Sequence, residues 1–272
     1  MTAMNDRSHL IPAVYDGLDL LGIDAGGPVA QLRLRRPAKR NAINDALIAQ
    51  IHTFFVNLPE HVRAVVLSGE GEHFCAGLDL GDLDGDAGAA AAIARSRAWH
   101  AAFDAIQYGP VPVIAVLHGA VIGGGLELAA ACHVRVAETS AWYALPEGQR
   151  GIFVGGGGSV RLSRLIGIAR MTDMMLTGRT LDAEEGARVG LSQYLVPAGE
   201  GLAEAGRIAA RVAANAPMSN FAVLQALPRI AELPATGGLL MEALMSSITQ
   251  GEPEARRRVR DFLDGRVGKV SR

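Results

Sequence analysis

Two short apolar runs, Ala-Val-Val-Leu-Ser at 64–68 and Val-Ile-Ala-Val-Leu at 113–117, constrain this chain more than any other feature in it. Neither alternates with polar residues, so each reads as a strand covered on both faces. Each is followed by a glycine-containing loop and a helical pattern, so strand, loop and helix units recur. Residues 18–23 and 29–34 flank Asp24-Ala25-Gly26-Gly27 and read as a β-hairpin, ended by Arg36-Pro37. Asn44 is a good N-cap for a helix to about residue 58, with Leu47, Ile48, Ile51, Phe54 and Phe55 at helical spacing and Pro59 beyond.

Alanine-rich residues 87–106 predict a helix despite the Gly-Asp punctuation of 81–88. Beyond about Val196 strand patterns disappear, and 201–215, 218–230, 238–249 and 253–263 predict successive helices. The expected division is therefore a loose tail over 1–14, an α/β core over 15–198 and a helical region over 199–272. In the last helix Arg256, Arg257, Arg258 and Arg260 are interspersed with Glu252, Glu254, Asp261 and Asp264, the pattern of a solvated or interface face; a ligand phosphate is the other reading.

Charge is nearly balanced, 26 Lys and Arg against 28 Asp and Glu, and 49% of the residues are hydrophobic. That excludes a disordered chain and a nucleic-acid-coating protein and favours a soluble enzyme. Two cysteines, Cys75 and Cys132, are too few for a disulfide framework or a Cys-rich zinc site, which suits a reducing cytoplasm. The first nine residues do not read as a secretory signal. The most apolar stretch, 111–131, contains His118, a glycine run and Glu127, so no membrane span is expected.

Two glutamates twenty residues apart carry the chemistry. Glu127 closes Gly123-Gly124-Gly125-Leu126-Glu127, and Glu147 follows Pro146. A glycine turn opening a helix presents N–H groups to a developing anion, and carboxylates beside it can move protons, which points to acid/base chemistry on a carbonyl compound. The glycine runs do not complete a nucleotide motif: Leu128 stands where a dinucleotide fingerprint needs its third glycine after Gly123-x-Gly125, Val160 does so after Gly155-x-Gly157, and there is no P-loop.

Four segments, in order and spacing, carry a resemblance: Pro37-Ala38-Lys39-Arg40-Asn41-Ala42-Ile43, Gly69 through Phe74-Cys75-Ala76-Gly77-Leu78-Asp79-Leu80, residues 119–127, and Pro146-Glu147 to Arg161-Leu162. Over roughly residues 15–266 the chain resembles the enoyl-CoA hydratase/isomerase, or crotonase, superfamily, and among its members an enoyl-CoA hydratase. The resemblance implies an α/β spiral of ββα units with an all-helical C-terminal trimerisation region, and assembly as a homotrimer or dimer of trimers. It implies oxyanion donors at the backbone N–H groups of Leu78 and Gly124. Both are main-chain groups at turns into helices, so two N–H dipoles can converge on one thioester oxygen.

By the same resemblance Glu127 activates water and Glu147 supplies the α-carbon proton. An isomerase needs one base, commonly at the position of Glu147, so the pair favours hydration of an α,β-unsaturated acyl-CoA to the 3-hydroxyacyl-CoA. Δ3,Δ2-enoyl-CoA isomerisation and a specialised hydratase, for example of methylthioacryloyl-CoA, are the alternatives. CoA is part of the substrate, and no metal or other cofactor is implied. The substrate-contacting positions that the resemblance implies are Lys39, Arg40, Ala76, Gly77, Leu78, Asp79, Leu80, Gly123 and Gly124. Many relatives have a lysine where this chain has Gly81 and a basic residue where it has Gly265, which leaves Lys39, Arg40 or Arg266 for the phosphates.

One branch of the superfamily binds RNA through a lysine-rich first helix; residues 44–58 contain no lysine or arginine, so no nucleic acid is expected. The resemblance assigns the acyl pocket largely to the stretch 82–108, whose alanine-rich character here does not define the acyl group. Trp99, Phe103, Trp142 and Phe153 are candidates for pocket or core. His118 reads as structural or solvent-facing, and Cys132-His133 makes a poor metal site.

Overall fold

The computed structural model describes residues 12–83 and 88–266. Residues 1–11 of the expected tail, and 84–87 at the start of the acyl-pocket stretch, lie outside the described residues. The chain divides into two compact units, one ending at Ala213 and the other starting at Ala214.

The first unit opens with the hairpin β1 (Leu21–Asp24) and β2 (Val29–Leu34), in which Leu21 faces Leu34 and Ile23 faces Leu32. Its first strand starts at Leu21 rather than at residue 18, because Ala13–Gly17 forms a 3-10 turn that the Leu18 amide closes onto Tyr15. The Tyr15 hydroxyl anchors that turn by donating to the Phe54 carbonyl at 3.1 Å. Helix α1 (Asp45–Val56) starts where the Asn44 side chain accepts the Leu47 N–H at 2.9 Å, and it buries the five expected apolar residues.

There follow β3 (Ala64–Gly69), α2 (Gly88–Gln107), β4 (Val113–Leu117), β5 (Ala120–Ile122), α3 (Gly124–Ala131), β6 (Val134–Glu138) and β7 (Trp142–Ala144). Then come α4 (Gly158–Ile166), α5 (Ile168–Thr177), β8 (Leu181–Asp182), α6 (Ala183–Val189), β9 (Tyr194–Val196) and α7 (Gly201–Ala213). Six strands form one sheet in the order β1-β2-β3-β4-β6-β9, parallel from β2 onward. A second sheet, β5-β7-β8, takes β5 and β7 from the chain just after β4 and β6 and adds β8 antiparallel to β7.

The unbroken apolar runs are now explained. Val65, Leu67, Val113, Ala115 and Leu117 belong to the main core with the buried residues of α1, α2 and α3. Their neighbours Ala64, Val66, Ile114 and Val116 pack with Ala205, Ile208 and Ala209 of α7. Each buried Val, Leu or Ile contributes about 1.5–3 kcal/mol, so neither face of the sheet could be left to water. Helix α7 is seated by Glu138, whose buried carboxylate accepts the Gly201 N–H at 3.0 Å.

The second unit consists of α8 (Pro217–Gln225), α9 (Leu227–Ile230), α10 (Ala235–Gly251) and α11 (Pro253–Leu263). The single helix expected over 218–230 is broken at Ala226. Pro228 has no N–H to donate and its ring excludes the preceding turn, so it is accommodated only at the start of a new helix. The charged face of α11 is largely self-paired: Arg258 meets Glu254 at 2.5 Å and the Ala214 carbonyl at 2.6 Å. Arg266, just beyond, pairs with Asp261 and Asp264.

Candidate active site

The segment 75–79 is held on both sides by backbone hydrogen bonds. Its Ala76 and Asp79 amides donate to Arg40 and Ile43 carbonyls at 2.9 and 2.8 Å, and the Gly77 carbonyl accepts from Ile43 at 2.7 Å. On the other side Cys75 exchanges bonds with Ala120 and Ile122 of β5, each 3.0 Å. Asn41, buried and left-handed at φ 56°, braces the arrangement by donating to the Glu70 and His73 carbonyls and accepting the Arg36 N–H.

Gly77 turns the chain at φ 91°, where a methyl would lie 2.7 Å from the Ile122 carbonyl. The same methyl would be 3.3 Å from the Gly124 nitrogen, and one on Gly124 would be 3.5 Å from the Leu78 nitrogen. The Leu78 and Gly124 amides therefore converge. Gly124 opens α3, and neither amide has a hydrogen-bond acceptor among the described residues.

Glu127 stands in the first turn of α3 with its side chain 2% exposed. Its Oε1 accepts two amides from the glycine run before α4, Gly156 at 2.9 Å and Gly158 at 2.7 Å. Burial leaves its carboxyl raised overall, against the pull of the Gly158 and Gly156 bonds and, more weakly, of Arg161. Glu147 precedes a 3-10 turn at Gly148–Arg150. Its Oε2 is buried and has no partner among the described residues. Burial, reinforced by the charge of Glu127 and opposed by its own backbone N–H and by Arg150, pushes its carboxyl up to about 7. Its other oxygen occupies the space that a side chain at Gly123 would need, 2.6 Å from where that methyl would be; with φ at 50°, position 123 suits glycine on both counts.

One cavity of about 190 Å³ gathers Gly77, Leu78, Leu80, Gly123, Gly124, Glu127 and Glu147. Among the other expected contact residues, Asp79 is tied to Arg36 at 2.9 Å, and that hydrogen bond holds its carboxyl below the usual range. Lys39 and Arg40 are exposed on the 3-10 turn before α1 and do not line the cavity, and Ala76 flanks it without lining it.

Trp99 and Phe153 do line the cavity. Phe103 supports Trp99 edge-on at 5.6 Å from inside the core, and Trp142 packs in a separate small cluster with Ala120, Ile122 and Ala144. The Trp99 ring lies against two glycines: a methyl on Gly124 would be 2.6 Å from it and one on Gly156 3.0 Å. His118 bonds the Gly71 carbonyl at 3.1 Å. His133 accepts the Val113 N–H through Nδ1 at 2.9 Å, and burial takes it down to about 4. Among the described residues no cluster could hold a metal ion.

Sequence reasoning missed Ser96, Arg150, Ile152, Val154 and the amides of Gly156 and Gly158 as parts of the site. The signal is present in the run Gly155-Gly156-Gly157-Gly158, which completes no nucleotide motif and lies within the segment from Pro146 to Leu162 that carries the resemblance. A carboxylate inside the protein presents the same acceptor chemistry to such amides.

Comparison with known proteins agrees with this architecture. The family model for enoyl-CoA hydratase/isomerase matches residues 24–267. A candidate enoyl-CoA hydratase of Rhodopseudomonas palustris superposes with a TM-score of 0.89 at 56% identity, over 93% of this chain and 98% of that one. The enoyl-CoA hydratase of Bacillus anthracis does so with a TM-score of 0.85 at 29% identity, over 91% and 97%. The fatty acid oxidation complex subunit alpha of Shewanella loihica is 46% identical over 135 residues, which are 49% of this chain and 19% of that protein. The matched segment thus spans about a fifth of such curated relatives. Fold and cavity together define an enzyme of the crotonase superfamily. Within it, the chain belongs to the enoyl-CoA hydratase/isomerase family.

Proposed function

We propose that this chain adds water across the double bond of an α,β-unsaturated acyl-CoA to give the 3-hydroxyacyl-CoA. The observation that carries this reading is the meeting of two acceptor-free amides and two buried glutamates around one cavity. The thioester oxygen accepts the Leu78 and Gly124 N–H groups, whose preorganised dipoles stabilise the charge that develops there, each typically contributing about 3 kcal/mol. Glu127 takes a proton from water as the water oxygen bonds to the β-carbon, and the π electrons move onto the thioester oxygen as an enolate. Protonated Glu147, with a carboxyl at about 7, gives its proton to the α-carbon as the enolate collapses. Exchange with solvent returns a proton from Glu127 to Glu147. Addition of water is redox-neutral, so this route calls for no redox cofactor, and CoA enters with the substrate.

Glu127→Gln and Glu147→Gln are each expected to lower hydration of crotonyl-CoA by about 10²–10⁴-fold with the fold intact by circular dichroism. Wild-type rates in both variants would end the reading. One observation favours a second reading, Δ3,Δ2-enoyl-CoA isomerisation. Of the two glutamates, Glu147 alone has a buried oxygen without a partner among the described residues, and a single base suffices to shuttle one proton. Conjugation of a 3-enoyl-CoA without water uptake would select it. The cavity volume supports a short acyl group, and methylthioacryloyl-CoA belongs in the substrate panel with crotonyl-CoA.

For the CoA moiety we assign the backbone of Ala76 to the adenine and Lys39 and Arg40, exposed beside that segment, to the phosphates. Two buried free cysteines support a reducing cytoplasm as its location, and no described helix is long and apolar enough to cross a membrane. The family resemblance, together with Leu239, Leu240 and Leu244 more than half exposed on α10, supports a homotrimer or a dimer of trimers. Sedimentation velocity should give three or six times the 28.5 kDa chain mass; a monomer would refute it.

A further inference from the structure

We infer that Arg161 is the positioning residue of Glu127: anchored by Asp104, it holds the loop 155–158 so that two of its amides meet the Glu127 carboxylate. The argument starts from the guanidinium. Arg161 lies in α4 with its side chain only 9% exposed, and it spends its donors in three directions. Nε donates to Gln107 Oε1 at 2.6 Å, Nη2 to Asp104 Oδ1 at 2.5 Å, and Nη1 to the Gly156 carbonyl at 3.0 Å. Gly156 is therefore held at both ends, with its carbonyl on Arg161 and its N–H on Glu127. At Gly157, left-handed at φ 95°, the guanidinium fills the space beside the backbone: a methyl there would lie 2.3 Å from Nη1. The last turn of α2, through Asp104 and Gln107, is thus linked by one arginine to the seat of the proposed base.

Arg161 touches no cavity surface, so it acts through the loop and through its charge. The charged groups disposed around Glu127 are few. Glu147 faces it across the cavity, Arg95 of α2 and Arg150 line the same walls, and His100 of α2 lies beside Gly157. Arg161 stands behind the loop with Asp104 beyond it. An opposite charge this close favours the ionised carboxylate, so removing it should make Glu127 harder to ionise.

The inference rests on the reading that Glu127 works as a carboxylate base, and the test separates the two. In full-length protein with ¹³C-labelled glutamate side chains, the Glu127 resonance is assigned by its loss in Glu127→Gln and titrated in wild type, Arg161→Met and Arg161→Lys. In Arg161→Met the midpoint should rise by about one unit, and the acid limb of kcat for crotonyl-CoA hydration should move with it, KM changing little. Arg161→Lys should raise the midpoint less than Arg161→Met does while still lowering kcat, because it restores the charge without the fork. An unchanged midpoint in an Arg161→Met protein with a wild-type melting temperature would overturn the proposal. If that variant does not fold, Asp104→Asn decides: without its anchor the guanidinium no longer holds the loop on Glu127 and the midpoint should rise, and a midpoint that stays or falls refutes the assignment. A wild type without hydratase activity would sink the proposed function, yet the resonance titrations would still judge Arg161.

Discussion

The two carboxylates at the cavity sit in opposite kinds of surroundings. Glu127 belongs to the interior: helix α3 carries it, two amides of the loop before α4 receive it, and Arg161 holds that loop from behind. Glu147 belongs to a turn at the cavity wall, followed by the exposed residues 148–151, with one oxygen against Gly123 and the other unbonded. Both are almost fully buried, so burial alone does not assign their roles. What differs is the compensation each receives on ionising: amides of a second element and a buried cation for the first, only its own backbone N–H and the charge of Arg150 for the second. Equal burial with unequal compensation is how neighbouring acids come to prefer opposite protonation states.

The sharpest way to break this contrast is to push Glu127 out of its seat. A methyl at Gly158 would lie 2.8 Å from Glu127 Cγ and Oε1, so Gly158→Ala should displace the carboxylate and cost about a hundredfold in kcat for crotonyl-CoA hydration. Activity within threefold of wild type would show that the double amide seat is dispensable.

A smaller effect concerns Glu147 and stability. Its carboxyl is raised to about 7 in the folded chain from an ordinary 4.5, so between those values the folded state holds a proton that the unfolded state has released. Stability from this group is therefore greatest below the unfolded value, falls as pH rises through about 7, and is flat above. Glu147→Gln should be more stable than wild type at pH 8 by on the order of 1–3 kcal/mol and no different near pH 4, as read from urea unfolding at the two pH values. The reverse order would mean that Glu147 has a partner when ionised. Smallest of all, Arg150→Gln should raise the Glu147 midpoint by less than about one unit, since an exposed arginine is screened by salt.

Much of the contrast was legible in the chain, and the illegible part has a physical cause. The strands at 64–69 and 113–117 declare themselves because both of their faces are covered, and Asn44 marks the start of α1 because its side chain replaces a missing backbone acceptor. The short strands of the second sheet, three residues or fewer, carry too few side chains to show a period. The break at Ala226 was written in Pro228 but hidden by apolar spacing on either side. In the site, the resemblance marks the two glutamates and the Leu78 and Gly124 amides, but not what holds Glu127. The seat of Glu127 is made of peptide amides from a run of glycines, and its clamp joins Arg161 to Asp104 across 57 positions of sequence. No local pattern encodes such a pairing, because the fold alone brings α2 against α4.

That the anion-stabilising donors are peptide groups has a consequence for chemical sensitivity. An amide at Leu78 or Gly124 can be neither titrated, oxidised nor alkylated, and the two thiols, Cys75 and Cys132, are buried with their ionisation pushed up to about 12. Inactivating reagents are left with the acids: a carbodiimide that reaches the cavity would silence the protein where iodoacetamide or mild peroxide leaves it working.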